Sequence, residues 1–333
     1  MQRYRGWVSE ILAPLEEYIN HDVDPRKLFS DMQEIAEGES GSVFVAKVVA
    51  RPSSVKKTQV EAVEGGEPVA IKNVPLVPGG SSKLLDLEKE LAIMSRIRHE
   101  NILSMEALYV DLAEDCLWIE MELMERSLAD MLALAEEGLM LLEPMVARFT
   151  KDVLGALAHL EDLGIAHRDV RSDNLLVNSQ GVLKIADFSS ALLINPSSPV
   201  STDVVGVLYW QAPEMRDGVY DARKVDVWSL GATVWEMAES EPPFIGIDDP
   251  RQIPDSWPDL SQPEIYSRSF HDFLSLCSKP SSSRPSAHDL LMTPFIDSAC
   301  ARPLVVNLLT QCKDIEERIH RRQSVDSGGT ILS

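Results

Sequence analysis

HRDVRSDNLLVNSQGVLKIADFSSALL, residues 167 to 193, is the stretch on which the reading of the whole chain turns. His167 and Arg168 precede Asp169, Asn174 follows that aspartate by five residues, and Asp187 follows the asparagine by thirteen. A lone HRD means little. The weight comes from what flanks it, in order: a glycine turn EGESGSV (37 to 43), the lysine of VAIK (69 to 72), a glutamate on the helix that follows, then ADF (186 to 188), APE (212 to 214) and DVWSLG (226 to 231).

The 333 residues suffice for one large domain or for two lobes around a cleft, and they can bury a sizeable core. With 44% hydrophobic and 25% charged residues, wholesale disorder is excluded. The formal net charge of -22 repels nucleic acid and anionic lipid and favours basic partners or substrates, although the same surplus also serves solubility. Cys116, Cys277, Cys300 and Cys312 form no CxxC pair, which predicts free thiols in a reducing compartment. The first residues are too acidic, and too broken by Pro14, for a signal peptide, and no apolar run reaches membrane length. These features predict a cytoplasmic protein with access to the nucleus, without membrane insertion or a nucleic-acid partner.

Trp7, Ile11, Leu15, Tyr18 and Ile19 recur at helical spacing and predict a short amphipathic helix kinked near Pro14, which either packs on the main body or docks a partner. From about Lys27, SVFVAKVVA (42 to 50) and PVAIKNVPL (68 to 76) read as strands, joined by a long, mobile turn over 51 to 67. Leu84, Leu87, Leu91, Met94 and Ile97 predict a helix over 83 to 97, and CLWIEMEL (116 to 123) a buried strand. Beyond it the pattern is mostly helical, as in PMVARFTKDVLGALAHLEDLG (144 to 164) and VDVWSLGATVWEMAE (225 to 239). The predicted class is therefore α+β, with a small antiparallel-sheet lobe carrying one helix and a larger, mainly helical lobe. The divisions are 1–26, an N-terminal helical extension; 27–124; 125–297; and 298–333, a polar tail that is partly disordered after Arg318. Prolines at 250, 254, 258 and 263 predict that a helix is shortened or missing after EPPF.

Taken together and in order, these segments resemble the protein kinase catalytic domain over about residues 30 to 297, a bilobal fold. EGESGSVFVAK, HRDVRSDNLLV, GVLYWQAPEM and VDVWSLGATVWEMAESEPPF look most like the PAK branch of the sterile-twenty-like serine/threonine kinases. The resemblance implies an ATP- and Mg2+-dependent serine/threonine protein kinase acting on protein substrates, basic ones by the charge, and open to an upstream kinase or regulatory protein. The founding relatives answer to Rho-class GTPases through a basic, His-containing segment, and no such GTPase-binding segment is visible.

By the same resemblance each part has a job. Gly38 and Gly41 let the turn lie close over the phosphates, Lys72 supplies a cation to them, and Glu90 holds Lys72. Asp169 is the catalytic base, and Asn174 and Asp187 are the metal ligands, oxygen donors of the kind magnesium takes. Val43 and Ala70 lie above the adenine and Leu176 below it, Met121 closes the back, and the backbone at Glu122 and Met124 supplies hydrogen bonds. Arg168 receives negative charge from the activation segment, Asp226 fastens the catalytic loop, and Glu214 pairs with Arg284.

Four positions depart from the pattern: Ala36 for the first glycine, Arg171 for the catalytic-loop lysine, Ser189 for the glycine after Asp-Phe, and Val207 for a threonine. A left-handed backbone at Ser189 would cost roughly 1–2 kcal/mol more than at glycine, and Arg171 presents a fork where lysine presents a point charge. These changes predict a working but slow enzyme, with a catalytically silent pseudokinase scaffold as the alternative. Asp203 stands where relatives carry a phosphorylated threonine. Asp173 either reads a basic substrate side chain or orders the catalytic loop. RRQS (321 to 324) makes Ser324 a target for a basic-directed kinase.

Overall fold

The alternating β-branched and apolar residues of SVFVAKV and PVAIKNV pair as neighbouring strands. The computed structural model describes residues 4, 6–21, 23–38, 41–52, 60–63, 65–78, 82–195, 197–247 and 249–328. Its main sheet is antiparallel and runs β1-β2-β3-β5-β4, where β1 is Phe29–Gly38, β2 Gly41–Val48, β3 Pro68–Pro75, β4 Met105–Asp111 and β5 Cys116–Glu122. Val43 opposes Lys72, Val45 opposes Ala70, and Ala70 opposes Met121. Opposed residues share a face, as do residues two apart, so Val43, Ala70, Lys72 and Met121 lie on one side of the sheet.

Two helices, α1 (Trp7–Leu12) and α2 (Ser82–Met94), join this sheet in one core of Val8, Leu12, Leu15, Ile19, Leu84, Leu87, Leu91, Leu108, Leu117 and Ile119. Of the two readings of the N-terminal helix, packing on the body is the one realised. It ends in a 3-10 turn at Ala13–Leu15, where proline fits the first positions, and Asn20 N–H then donates to Leu108 O at 2.7 Å. The other face buries Phe29, Ala46, Val48, Ile71, Tyr109 and Trp118. Between β2 and β3, Ala50–Pro52 pairs with Val60–Ala62. The mobile turn expected there lies largely outside the described residues, at 53–59 and 64.

Contacts divide the chain into this unit, Met1–Arg98 with Leu103–Met124, and a second made of His99–Ile102 and Glu125–Ser333. The second unit is mainly helical. In α3 (Glu143–Asp162) the stripe Met145, Phe149, Val153, Leu157 and Leu160 is buried, whereas α4 (Val225–Glu239) is buried almost all round. A small antiparallel sheet runs β8-β7-β6, with β6 Arg126–Ser127, β7 Leu175–Val177 and β8 Leu183–Ile185. From α4 to α5 (Arg268–Cys277) the described residues hold only 3-10 turns at Pro250–Gln252 and Pro263–Ile265, because the prolines remove the donors a helix needs. The α+β class thus matches the expectation.

The tail, expected to be partly disordered after Arg318, is helical as far as it is described: the last helix, α6, runs Arg302–Gly328, and 329–333 lie outside the described residues. Its inner face buries Val305, Leu308, Leu309, Cys312 and Ile315, and Arg321 pairs with Glu317 and Arg322 with Glu137, each at 3.1 Å. Local polarity hid these partners. The side chain of Ser324 lies outside the described residues. All four cysteines are free and buried, and among the described residues no helix is long and apolar enough to cross a membrane.

Candidate active site

In the first unit the hairpin of β1 and β2 closes with Gly38 opposite Gly41; the tip, Glu39 and Ser40, lies outside the described residues. Gly41 has φ 131, and a Cβ there would sit 2.0 Å from Asn73 O, so the close pass of β2 over β3 demands glycine. Ala36 lies in the ladder opposite Val43, in extended backbone that any residue adopts, so it adds no strain. Lys72 stands on β3 between Val43 and Ile119, half-buried, and Ala70 beside it is buried. Glu90 is half-buried on α2. Among the described residues Lys72 forms no ion pair, so the expected contact with Glu90 is not made here. Met121 and Glu122 end β5, and Met124 is the last residue of this unit.

In the second unit the catalytic loop hangs from Asp226, near the start of α4. Its Oδ2 accepts the His167 N–H at 2.8 Å and its Oδ1 the Arg168 N–H at 2.6 Å. Burial pushes this carboxyl above the usual range, opposed by His167, the two N–H groups and Arg168. Arg168 takes a left-handed backbone, φ 66, within this anchor. A carbonyl can only accept, so the 3.1 Å contact of His167 Nε2 with Ala186 O places the imidazole proton on Nε2. His167 Nδ1 then accepts the Asp169 N–H at 3.3 Å. Phe188 packs edge-on against the same ring, with centroids 4.8 Å apart.

Asn174 donates from Nδ2 to both Asp169 O (2.9 Å) and Asp169 Oδ2 (2.8 Å), while its main-chain carbonyl accepts the Ala186 N–H at 2.8 Å. One residue further, Asp187 has φ 62, and its Oδ1 accepts the Ser189 N–H at 3.1 Å, an Asx-turn that makes the left-handed backbone affordable for aspartate. The strain expected at Ser189 is absent, because Ser189 is not among the positive-φ residues. The residues fit a hard divalent cation: the donor side of the Asn174 amide is turned to Asp169, so its oxygen is the acceptor, and Asp187 adds a carboxylate.

Arg171 accounts for its departure from lysine. Its Nε lies 3.6 Å from Asp169 Oδ1 while Nη1 bonds Asp173, so the planar guanidinium stands between the two carboxylates. Gly206, φ 78, presses on the loop; a Cβ there would lie 2.7 Å from Arg168 O and 3.1 Å from Asp169 Oδ1. Val207 is extended and partly exposed. The Arg168 side chain is buried and donates to Ser190 O (2.8 Å), Ser201 Oγ (3.2 Å) and Tyr220 Oη (3.1 Å), with Asp203 Oδ2 3.9 Å from Nη1. Tyr220 in turn donates to Asp203 O at 2.7 Å. Arg284 holds Glu214 with two bonds, 2.5 and 3.0 Å, under the segment that ends in APE.

Sequence reasoning missed Glu236. From inside α4 its carboxylate accepts Ser172 Oγ–H at 2.5 Å and Trp210 Nε1–H at 3.0 Å, joining the catalytic loop to the end of the activation segment. Burial pushes its pKa up to about 7. The signal was present: it is the charged residue deep within the otherwise apolar run SLGATVWEM.

Comparison with known proteins agrees with this geometry. The protein kinase domain model matches residues 29–296. The chain is 35% identical over 282 residues to serine/threonine-protein kinase pakC of Dictyostelium discoideum, covering 83% of this chain and 55% of that protein. To pakB of the same organism it is 34% identical over 302 residues, 88% of this chain and 33% of that protein. To serine/threonine-protein kinase SKM1 of Saccharomyces cerevisiae it is 35% identical over 297 residues, 84% and 45%. The chain thus spans a third to about half the length of these relatives. On the match over residues 29–296, and with the Asp169, Asn174 and Asp187 cluster in place, the chain belongs to the protein kinase domain family and resembles its sterile-twenty-like serine/threonine members.

Proposed function

We propose that the chain transfers the γ-phosphoryl group of ATP, with Mg2+, to serine and threonine hydroxyls of protein substrates. The observation that carries this reading is the bonding of Asn174 in the second unit: its side chain fixes one oxygen of Asp169, and its main-chain carbonyl accepts from Ala186, the residue before Asp187. Oδ2 of Asp169 being held, Oδ1 is the oxygen that takes the proton of the substrate hydroxyl. The hydroxyl oxygen bonds to the γ-phosphorus as the bond to the bridging oxygen breaks, and that electron pair leaves with ADP. Magnesium, when bound, neutralises phosphate charge, and Asn174 and Asp187 are the residues that would hold it. Arg171, beside Asp169 Oδ1, steadies the carboxylate in a role for which relatives use lysine and the hydroxyl missing at Val207. Lys72 meets the phosphates, Glu90 is its partner in the active arrangement, and Gly38 and Gly41 let the backbone approach them. Val43, Ala70, Met121 and Leu176 give apolar surface to the adenine, and the backbone at Glu122 and Met124 gives polar contacts.

The net charge of -22 supports a preference for basic substrates. Asp173 is engaged by Arg171, which favours loop ordering over direct reading of the substrate. Asp203 near the buried Arg168 supports basal activity without phosphorylation of the activation segment, an upstream kinase being an additional input. Four buried free thiols support a reducing, cytoplasmic setting. The reading is tested by incubating the purified chain with labelled ATP, Mg2+ and an arginine-rich protein. Label on serine or threonine, lost by at least about a hundredfold in Asp187→Ala and in Lys72→Met, is expected; wild-type rates in either variant would overturn it.

A further inference from the structure

Helix α6 takes hold of the small sheet of the second unit at two separate places. At the turn from β7 to β8, Arg302 Nη1 donates to Gly181 O at 3.0 Å and also bonds Asp152, the buried α3 carboxylate that accepts the Leu183 N–H at 3.1 Å. Val305 packs on the same turn so closely that a Cβ at Gly181 would lie 3.1 Å from its Cβ. At the opposite edge Glu316 receives two bonds from Arg126, 2.8 Å from Nη1 and 3.0 Å from Nη2, and Lys313 Nζ lies 2.8 Å from Glu125 Oε2. Fourteen residue steps separate Arg302 from Glu316, roughly 21 Å of helix, enough to reach across a three-stranded sheet.

The Arg126–Glu316 pair is more than a surface contact. The Arg126 side chain is 8% exposed, so removing Glu316 would leave a buried cation without its partner. Arg126 opposes Val177 and Ser127 opposes Leu176, and the Glu125 N–H donates to Val177 O at 2.9 Å. What α6 holds at β6 is therefore passed to β7 by ladder bonds, and from β7 to β8 by the Leu175–Ile185 and Val177–Leu183 pairs. Asn174 immediately precedes β7, Leu176 is its middle residue, and Asp187 stands two residues beyond β8.

We propose that α6 is a brace for nucleotide and metal binding, with Arg302, Lys313 and Glu316 as positioning residues that hold Asn174, Leu176 and Asp187 in place through the sheet. This rests on the reading of those three residues as the magnesium and nucleotide groups. The test uses the full chain, as wild type, Glu316→Ala, Lys313→Ala and the swap Arg126→Glu with Glu316→Arg. Backbone hydrogen exchange, binding of Mg·ADP by calorimetry, and ATP kinetics are measured on each variant that circular dichroism shows to be folded. Glu316→Ala is expected to speed exchange across 125–127 and 175–177 and to raise the KM for ATP roughly fivefold, with kcat within about twofold. Lys313→Ala, at an exposed position that cannot threaten folding, should do the same to a smaller degree, and the swap should recover part of the loss. Unchanged exchange in both single variants overturns the brace, and faster exchange with unaltered Mg·ADP affinity overturns its role in binding. Failure of the wild type to bind Mg·ADP refutes the kinase reading instead, and the exchange data still decide whether the helix braces the sheet.

Discussion

The catalytic loop, residues 166 to 175, and the activation segment, residues 186 to 214, meet at Arg168, but one is held there through its backbone and the other through a side chain. The loop is fastened through its backbone: Asp226, itself buried, takes two consecutive N–H groups at 2.8 and 2.6 Å. The segment is fastened through the buried side chain of Arg168, which donates to Ser190 O and Ser201 Oγ, and by a carboxylate, Asp203, that stands 3.9 Å away and 69% exposed. Charge-assisted bonds in a buried site contribute about 1.5–3 kcal/mol each, whereas an exposed pair contributes about 0–1 kcal/mol. The loop that carries Asp169 is therefore fixed at its backbone, whereas the Asp203 contact beside it is weak enough to be adjusted.

Removing the loop's anchor should have the largest effect. Asp226→Ala leaves two backbone N–H groups buried without acceptors and is expected to cost roughly 2–5 kcal/mol of stability in denaturant unfolding, with loss of turnover. A variant within 0.5 kcal/mol of wild type would show that water or another group replaces the carboxylate and would erase the contrast.

The joint between the two regions, Glu236, should show itself through pH. Its folded pKa of about 7 lies above the ordinary 4.5, so the folded state binds the proton more tightly. The stability this contributes is complete below pH 4.5 and is lost as the pH rises through 7. Glu236→Gln keeps the shape and removes the titration. The variant should match wild type near pH 5 and gain on it up to pH 8, by at most roughly 3 kcal/mol. Parallel melting curves for the two proteins from pH 5 to 8 would contradict the assignment.

The lightly held side should respond least. Asp203→Ala is expected to lower turnover by a few-fold, to about a tenth at the extreme, and to leave stability within about 0.5 kcal/mol. The measurement is made after phosphatase treatment, with mass spectrometry showing Ser201 and Thr202 unmodified. An alanine variant as fast as wild type would mean that Asp203 does not supply charge to Arg168.

Much of this was legible in the sequence where the signal is local. Strand alternation at 42–50 and 68–76, the helical period at Leu84, Leu87 and Leu91, and the ordered run from Asp169 to Asp187 each depend on residues close in the chain. What escaped depends on partners far away. The last helix continues past Arg318, where Arg322 pairs with Glu137, 185 residues earlier, and its polar sequence gives no hint of that. The sequence shows that Arg171 presents a fork where lysine presents a point charge, but not that the fork stands beside both Asp169 and Asp173. Backbone strain was expected at Ser189 because glycine is usual there, but an Asx-turn shifts the left-handed residue to Asp187. The lysine and glutamate expected to pair, Lys72 and Glu90, are placed by the sheet and by α2, and neither element fixes their distance.

Asp169, held through Oδ2 by Asn174, is the residue on which the proposed phosphotransfer turns. The most direct measurement is the single-turnover rate of γ-phosphate transfer from Mg·ATP to an arginine-rich protein by the dephosphorylated chain, beside Asp169→Asn. Asparagine keeps the size and the oxygen that Asn174 bonds but cannot take a proton. Transfer to serine or threonine by wild type and a fall of at least about a hundredfold in Asp169→Asn are expected, with Mg·ADP affinity within about threefold of wild type. No transfer by a wild-type chain that binds Mg·ADP, or an asparagine variant as fast as wild type, would contradict the proposal.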